Sequence, residues 1–73
     1  MTRMRRFTAR EVEKLLQKYN FQLVSQKGSH RKWRNKQEGL QVIVPEHKGK
    51  ILPIGTLKNI LKTAKIPESD WIQ

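Results

Sequence analysis

A chain of 73 residues suffices for one small domain with a single core, and leaves no room for a second. The 16 lysines and arginines against 6 acidic residues give a formal net charge of +10, beyond the roughly 2 to 8 units that keep a small domain soluble, so the composition points to a polyanion or an acidic protein as partner. The absence of cysteine excludes a disulfide framework and thiolate metal sites, the two histidines with scattered carboxylates make no recognisable zinc set, and no segment could span a membrane.

Residues 1–6 are basic and run straight into a capped helix without the apolar stretch of a signal peptide, so the chain reads as cytoplasmic. Thr8 and Glu11 have capping-box spacing, with Phe7 and Val12 placed as a hydrophobic staple. Val12, Leu15, Leu16 and Tyr19 recur at helical spacing and form one apolar stripe, while Glu13, Lys14, Gln17 and Lys18 face water. Asn20 tolerates the left-handed conformation and ends the helix.

Residues 21–26 have strand character, with Phe21, Leu23 and Ser25 on one face and Gln22, Val24 and Gln26 on the other. Lys27, Gly28 and Ser29 make a turn into a second strand over 30–35. Alternation there sets Arg31, Trp33 and Asn35 against His30, Lys32 and Arg34. The large indole takes the core side, which leaves His30, Lys32 and Arg34 facing solvent. Residues 36–39 are a polar hairpin connection with Gly39 free to take a positive φ, and 40–44 form a third strand that Pro45 ends. Leu40, Val42 and Val44 belong to the core, Gln41 and Ile43 to the open side.

A loop over 46–54 carries His47, Lys48, Gly49 and Lys50. The second helix begins near Gly55-Thr56 and buries Leu57, Ile60, Leu61 and Ala64, with Lys62 and Lys65 in its last turn and Pro67 beyond it. Trp71 and Ile72 fold back onto the body from an otherwise polar tail. The predicted fold is therefore α+β: an α-β-β-β-α order with two helices packed on one face of a three-stranded antiparallel sheet. That is the topology of the double-stranded-RNA-binding domain, and topology alone fixes no function.

The motifs come in a particular order along the chain. Leu15-Leu16 and Tyr19-Asn20-Phe21 precede Gln26-Lys27-Gly28-Ser29-His30; Val44-Pro45-Glu46-His47 with Lys48-Gly49-Lys50 follows, and Gly55-Thr56-Leu57 with Ile60-Leu61 closes the series. This series resembles the HicA toxin family, and the resemblance covers most of the chain as a single domain over 1–73. It implies a metal-independent ribonuclease without cofactor that cuts messenger RNA, has its catalytic histidine at His30, and is held inactive by a HicB-type antitoxin. The chain lacks the alanine-rich second helix of ordinary double-stranded-RNA-binding domains, so helical RNA need not be the substrate.

The residues themselves suit that chemistry. Metal-free RNA cleavage proceeds by attack of the 2′-hydroxyl on its own phosphate, which requires a base, an acid and stabilisation of the developing charge. His30 can act as the base, because nearby Lys27, Arg31, Lys32 and Arg34 disfavour a further positive charge on the imidazole. Those cations, with Lys48 and Lys50, can also hold phosphate, and Lys32 and Arg34 share the side of His30. His47 either supplies the second proton or is a solvated loop histidine. Gly28 permits close approach of the turn or of RNA, and Ser29 either bonds phosphate or caps the turn. Val24 and Ile43 on the open face are a contact for an acidic antitoxin that covers His30, or else ordinary exposed aliphatics. The competing functions are a non-catalytic RNA-binding module gripping phosphates through the same strand, and an adaptor whose charge serves only an acidic protein.

Overall fold

Thr8 opens the first helix by a reciprocal cap. Its hydroxyl accepts the Glu11 N–H at 3.2 Å while Glu11 Oε1 accepts the Thr8 N–H at 2.9 Å, an arrangement that stabilises a helix start by about 1 kcal/mol. The computed structural model describes residues 6–47 and 49–72; Lys48 and most of the basic segment over 1–6 therefore lie outside the described residues. Within them the order is α1 (Ala9–Lys18), β1 (Gln22–Lys27), β2 (His30–Asn35), β3 (Leu40–Pro45) and α2 (Ile54–Thr63), followed by a single 3-10 turn over Glu68–Asp70.

The three strands form one antiparallel sheet in the order β1-β2-β3. Gly28 at φ +60° makes the two-residue connection of the first hairpin. Among the two central residues only the first has positive φ, the pattern of a type II′ turn, whose twist matches the flanking strands. The second hairpin turns over residues 36–39, and Asn35 buttresses it from the inside. Its buried amide donates to the Tyr19 carbonyl at 3.0 Å and accepts the Glu38 N–H at 3.1 Å, which ties the end of α1 to the hairpin. Asn20 takes φ 69° and stops α1 as its residue type predicts.

Both helices lie on one face of the sheet, as expected. Val12 and Leu16 of α1, Leu57 and Leu61 of α2, and Trp33 and Val44 of the sheet are buried together; each such side chain contributes about 1.5–3 kcal/mol through burial. Trp71 closes this core from the tail, with its indole N–H donating to the Ile66 carbonyl at 2.9 Å. Leu52 joins the core from what the sequence presents as a plain loop, because its N–H bonds the Phe7 carbonyl at 2.8 Å and pulls that loop against the start of the chain. Helix α2 begins at Ile54, slightly earlier than its sequence signals suggest, and Lys65 falls beyond its end at φ 56°.

Two expectations are overturned. Glu13, assigned to the water-facing side of α1, is buried. The simple alternation of β1 also fails: the register slips between Leu23 and Ser25, so Leu23 opposes Trp33 and Ser25 opposes Lys32, with Val24 left over. An extra residue of this kind changes which way the rest of the strand points. Ser25 and Lys27 consequently move to the side of His30, and Gln26 moves to the other.

Candidate nucleic-acid interface

The sheet face away from the helices is uncovered, and its composition follows from register. β2 places His30, Lys32 and Arg34 there; opposite them stand Lys27, Ser25 and Gln22 from β1 and Pro45, Ile43 and Gln41 from β3. No acidic residue occupies any of these positions. Lys27, Lys32 and Arg34 have no ion-pair partner among the described residues, so their charge is directed outward without cancellation. Ser25, Lys27, His30, Lys32 and Ile43 line a depression of about 270 Å³. His30 is exposed there, at the point where the first hairpin closes through the Lys27–His30 pair.

Arg31 is separated from this group. It points to the helix side, where its Nε donates to Glu13 Oε2 at 2.6 Å and lies 3.2 Å from Glu46 Oε2. Its Nη1 donates to Gln26 Oε1 at 3.1 Å, and Gln26 Nε2 in turn donates to the Gly28 carbonyl at 3.1 Å. The Ser29 carbonyl accepts the Glu46 N–H at 2.7 Å. These bonds clamp the Gly28-Ser29 turn, and with it His30, to β3 and α1. Glu13 also accepts the Trp33 indole N–H at 2.7 Å. A sequence signal for Glu13 exists: a buried indole needs an acceptor, and Glu13 adjoins Val12 on the stripe.

The remaining candidates lie elsewhere. His47 is exposed beside Thr8, Ala9 and Arg10 at the start of α1, lining a different depression from that of His30. Lys50 donates its backbone N–H to the His47 carbonyl at 2.9 Å, and its side chain is exposed. Val24 is the unpaired bulge residue, 43% exposed, and Ile43 is 49% exposed. The amide-rich depression where β1 begins and β2 ends, described below, has no counterpart in the sequence reading, because its residues come from α1, β1 and the second hairpin and share no motif.

Two helices on one sheet face and an unpaired cationic surface on the other define a small, basic α+β domain with its strands open to a partner. Comparison with protein-family models matches residues 9–66 to the HicA toxin of bacterial toxin-antitoxin systems. The chain belongs to that family, and is accordingly the toxin of a toxin-antitoxin system. Comparisons with curated proteins and with solved structures give no match. Among the described residues no helix is long and apolar enough to cross a membrane.

Proposed function

We propose that this toxin is a metal-independent endoribonuclease of the cytoplasm, a single domain that cleaves messenger RNA with His30 as general base and is neutralised by a HicB-type antitoxin. The observation that carries this reading is the placement of His30, exposed in one depression with Lys27 and Lys32 and with no carboxylate lining it. Phosphate binding alone needs only the cations. A group able to move a proton near neutral pH is what cleavage adds.

In this reading His30 takes the proton of the 2′-hydroxyl as that oxygen attacks the adjacent phosphorus; a 2′,3′-cyclic phosphate forms as the bond to the 5′-oxygen breaks, and the leaving 5′-oxygen takes a proton from solvent water. Lys32, in the same depression as His30, stabilises the charge that develops on the phosphoryl oxygens, and Arg34, farther along β2 and outside that depression, holds the RNA that continues past it. Lys27 holds a flanking phosphate, the Gly28-Ser29 turn lets the RNA backbone come close, and the charges of Lys48 and Lys50 add to the attraction for RNA. Arg31, engaged by two carboxylates, serves the fold. His47 lines a separate depression and is not assigned the protonation of the leaving group. An acidic antitoxin surface that buries Val24 and Ile43 would occlude His30 and cancel the surrounding charge together.

The test is incubation of the purified chain and of His30→Ala with messenger RNA in EDTA. The expected result is cleavage by the parent and a loss of about 10²- to 10⁴-fold in the variant. Equal cleavage by both removes His30 as the base. Binding without cleavage by either establishes the non-catalytic RNA-binding module instead.

A further inference from the structure

A second, larger depression of about 410 Å³ sits at the end of the β1–β2 pair farthest from His30. Its lining is dominated by side-chain amides: Gln17 from α1, Asn20 and Gln22 around the start of β1, and Gln37 from the second hairpin, joined by Arg34 and Lys36. None of these four amides has a side-chain hydrogen bond among the described residues, and no carboxylate lines the depression. These four exposed amide residues thus line one depression without a side-chain partner among the described residues. Two features hold the wall in place. Asn35 is bonded on both sides, to Tyr19 and to Glu38, and Asn20 is set in the left-handed region.

The depression is continuous with the cationic face through Arg34, which belongs to both. From His30 to Arg34 along β2 is about 13 Å at the usual rise per residue. A nucleic-acid strand lying across Lys32 toward Arg34 would deliver its next base to the amides. Aromatic stacking cannot supply selectivity there: Phe21, the aromatic residue that lines the depression, is buried. Hydrogen bonding can. A carboxamide presents a donor and an acceptor that match adenine N6 and N7, and a guanidinium matches guanine O6 and N7. Single-stranded RNA offers such edges because its bases are free of a duplex.

We propose that this amide-lined depression is a base-reading subsite that takes a purine of single-stranded RNA bound along β2. The proposal rests on the reading that the open face holds RNA. The test uses His30→Ala, so that RNA is not consumed, and mixed-sequence octaribonucleotides in which one base at a time is varied, with affinity read by fluorescence anisotropy. One position shows a purine preference of about tenfold. Gln22→Ala combined with Gln37→Ala abolishes that preference while binding of the pyrimidine version changes little, since the phosphate contacts remain. Gln17→Ala, an exposed α1 position, is a second variant expected to weaken it. Absence of a purine preference at every position overturns the proposal, as does a preference that survives the double variant. If the unaltered chain fails to cleave RNA yet the purine preference stands, the ribonuclease reading falls and the subsite remains; cleavage without any purine preference does the reverse.

Discussion

Glu13 accepts the Trp33 indole N–H at 2.7 Å across the interface between α1 and the sheet. The same oxygen receives Arg31 Nε at 2.6 Å. One carboxylate oxygen on the inner side of α1 thus engages two side chains of β2 that lie back to back with Lys32, the strand neighbour of both. The position of the cationic face is in this way coupled to a polar contact on the opposite side of the same strand.

Removing that acceptor destabilises the fold. Glu13→Ala leaves a buried indole N–H unpaired and deprives Arg31 of one of its two carboxylates, a loss of about 3 kcal/mol. Glu13→Gln keeps an acceptor for Trp33 and loses only the charge, so about 1 kcal/mol is expected. Urea unfolding of the two variants measures both, and equal losses would show that the charge, rather than the hydrogen bond to Trp33, dominates.

The cations of β2 separate into two kinds. Lys32→Ala is expected to lower RNA cleavage by about 10²-fold, and Lys32→Ala and Arg34→Ala are each expected to reduce the salt slope of RNA binding by about 0.7 per cation removed, with thermal stability unchanged. Arg31→Ala is expected to lower the unfolding midpoint and to leave that slope intact. A slope reduced by Arg31→Ala as much as by Lys32→Ala would place Arg31 in the interface.

The tail is held by a pH-dependent clamp. The Tyr19 hydroxyl donates to the Asp70 carboxylate, and Lys18 Nζ lies 3.5 Å from its other oxygen. Chiefly the Tyr19 hydrogen bond, assisted by the Lys18 charge against an opposing desolvation, holds the Asp70 carboxyl below its usual range. The same hydrogen bond, then desolvation and the Asp70 charge, raise the Tyr19 phenol. The depressed carboxyl contributes stability above about pH 4 that is lost as pH falls through its folded value; the raised phenol contributes below about pH 10 and loses it as pH rises through its folded value. Melting temperatures of the parent and of Tyr19→Phe should differ most near neutral pH and converge in strong acid. A constant difference across that range would remove Asp70 as the partner.

Gly28 adopts φ +60°, and a Cβ built there meets nothing within 4 Å. Gly28→Ala therefore carries only the backbone strain of the first position of a type II′ turn, about 1–3 kcal/mol, and Gly28→Asn a similar amount. Denaturant midpoints of the two variants test this. A much larger loss would mean that the turn has a contact beyond its backbone geometry.

The strand β2 was legible residue by residue, because a single large aromatic at Trp33 fixes the phase of an alternating strand and carries His30, Lys32 and Arg34 to the other side. The same holds for Leu40, Val42 and Val44 against Ile43 on β3. Strand β1 resisted that reasoning: a bulge is a two-strand property, a mismatch in residue count between partners, and no pattern within 22–27 announces it. Ser25 reached the His30 depression only through that bulge.

Periodicity, caps and turn residues determined the order α-β-β-β-α, both hairpins and the side on which His30 lies, since each depends on neighbours a few residues apart. The tertiary structure decided the rest: that Glu13 is buried beneath Trp33 and Arg31, that His30 and His47 line separate depressions, and that amides from α1, β1 and the second hairpin converge around Arg34. These depend on how elements distant in the chain pack, and local preference carries no information about which polar groups such packing brings within hydrogen-bond reach.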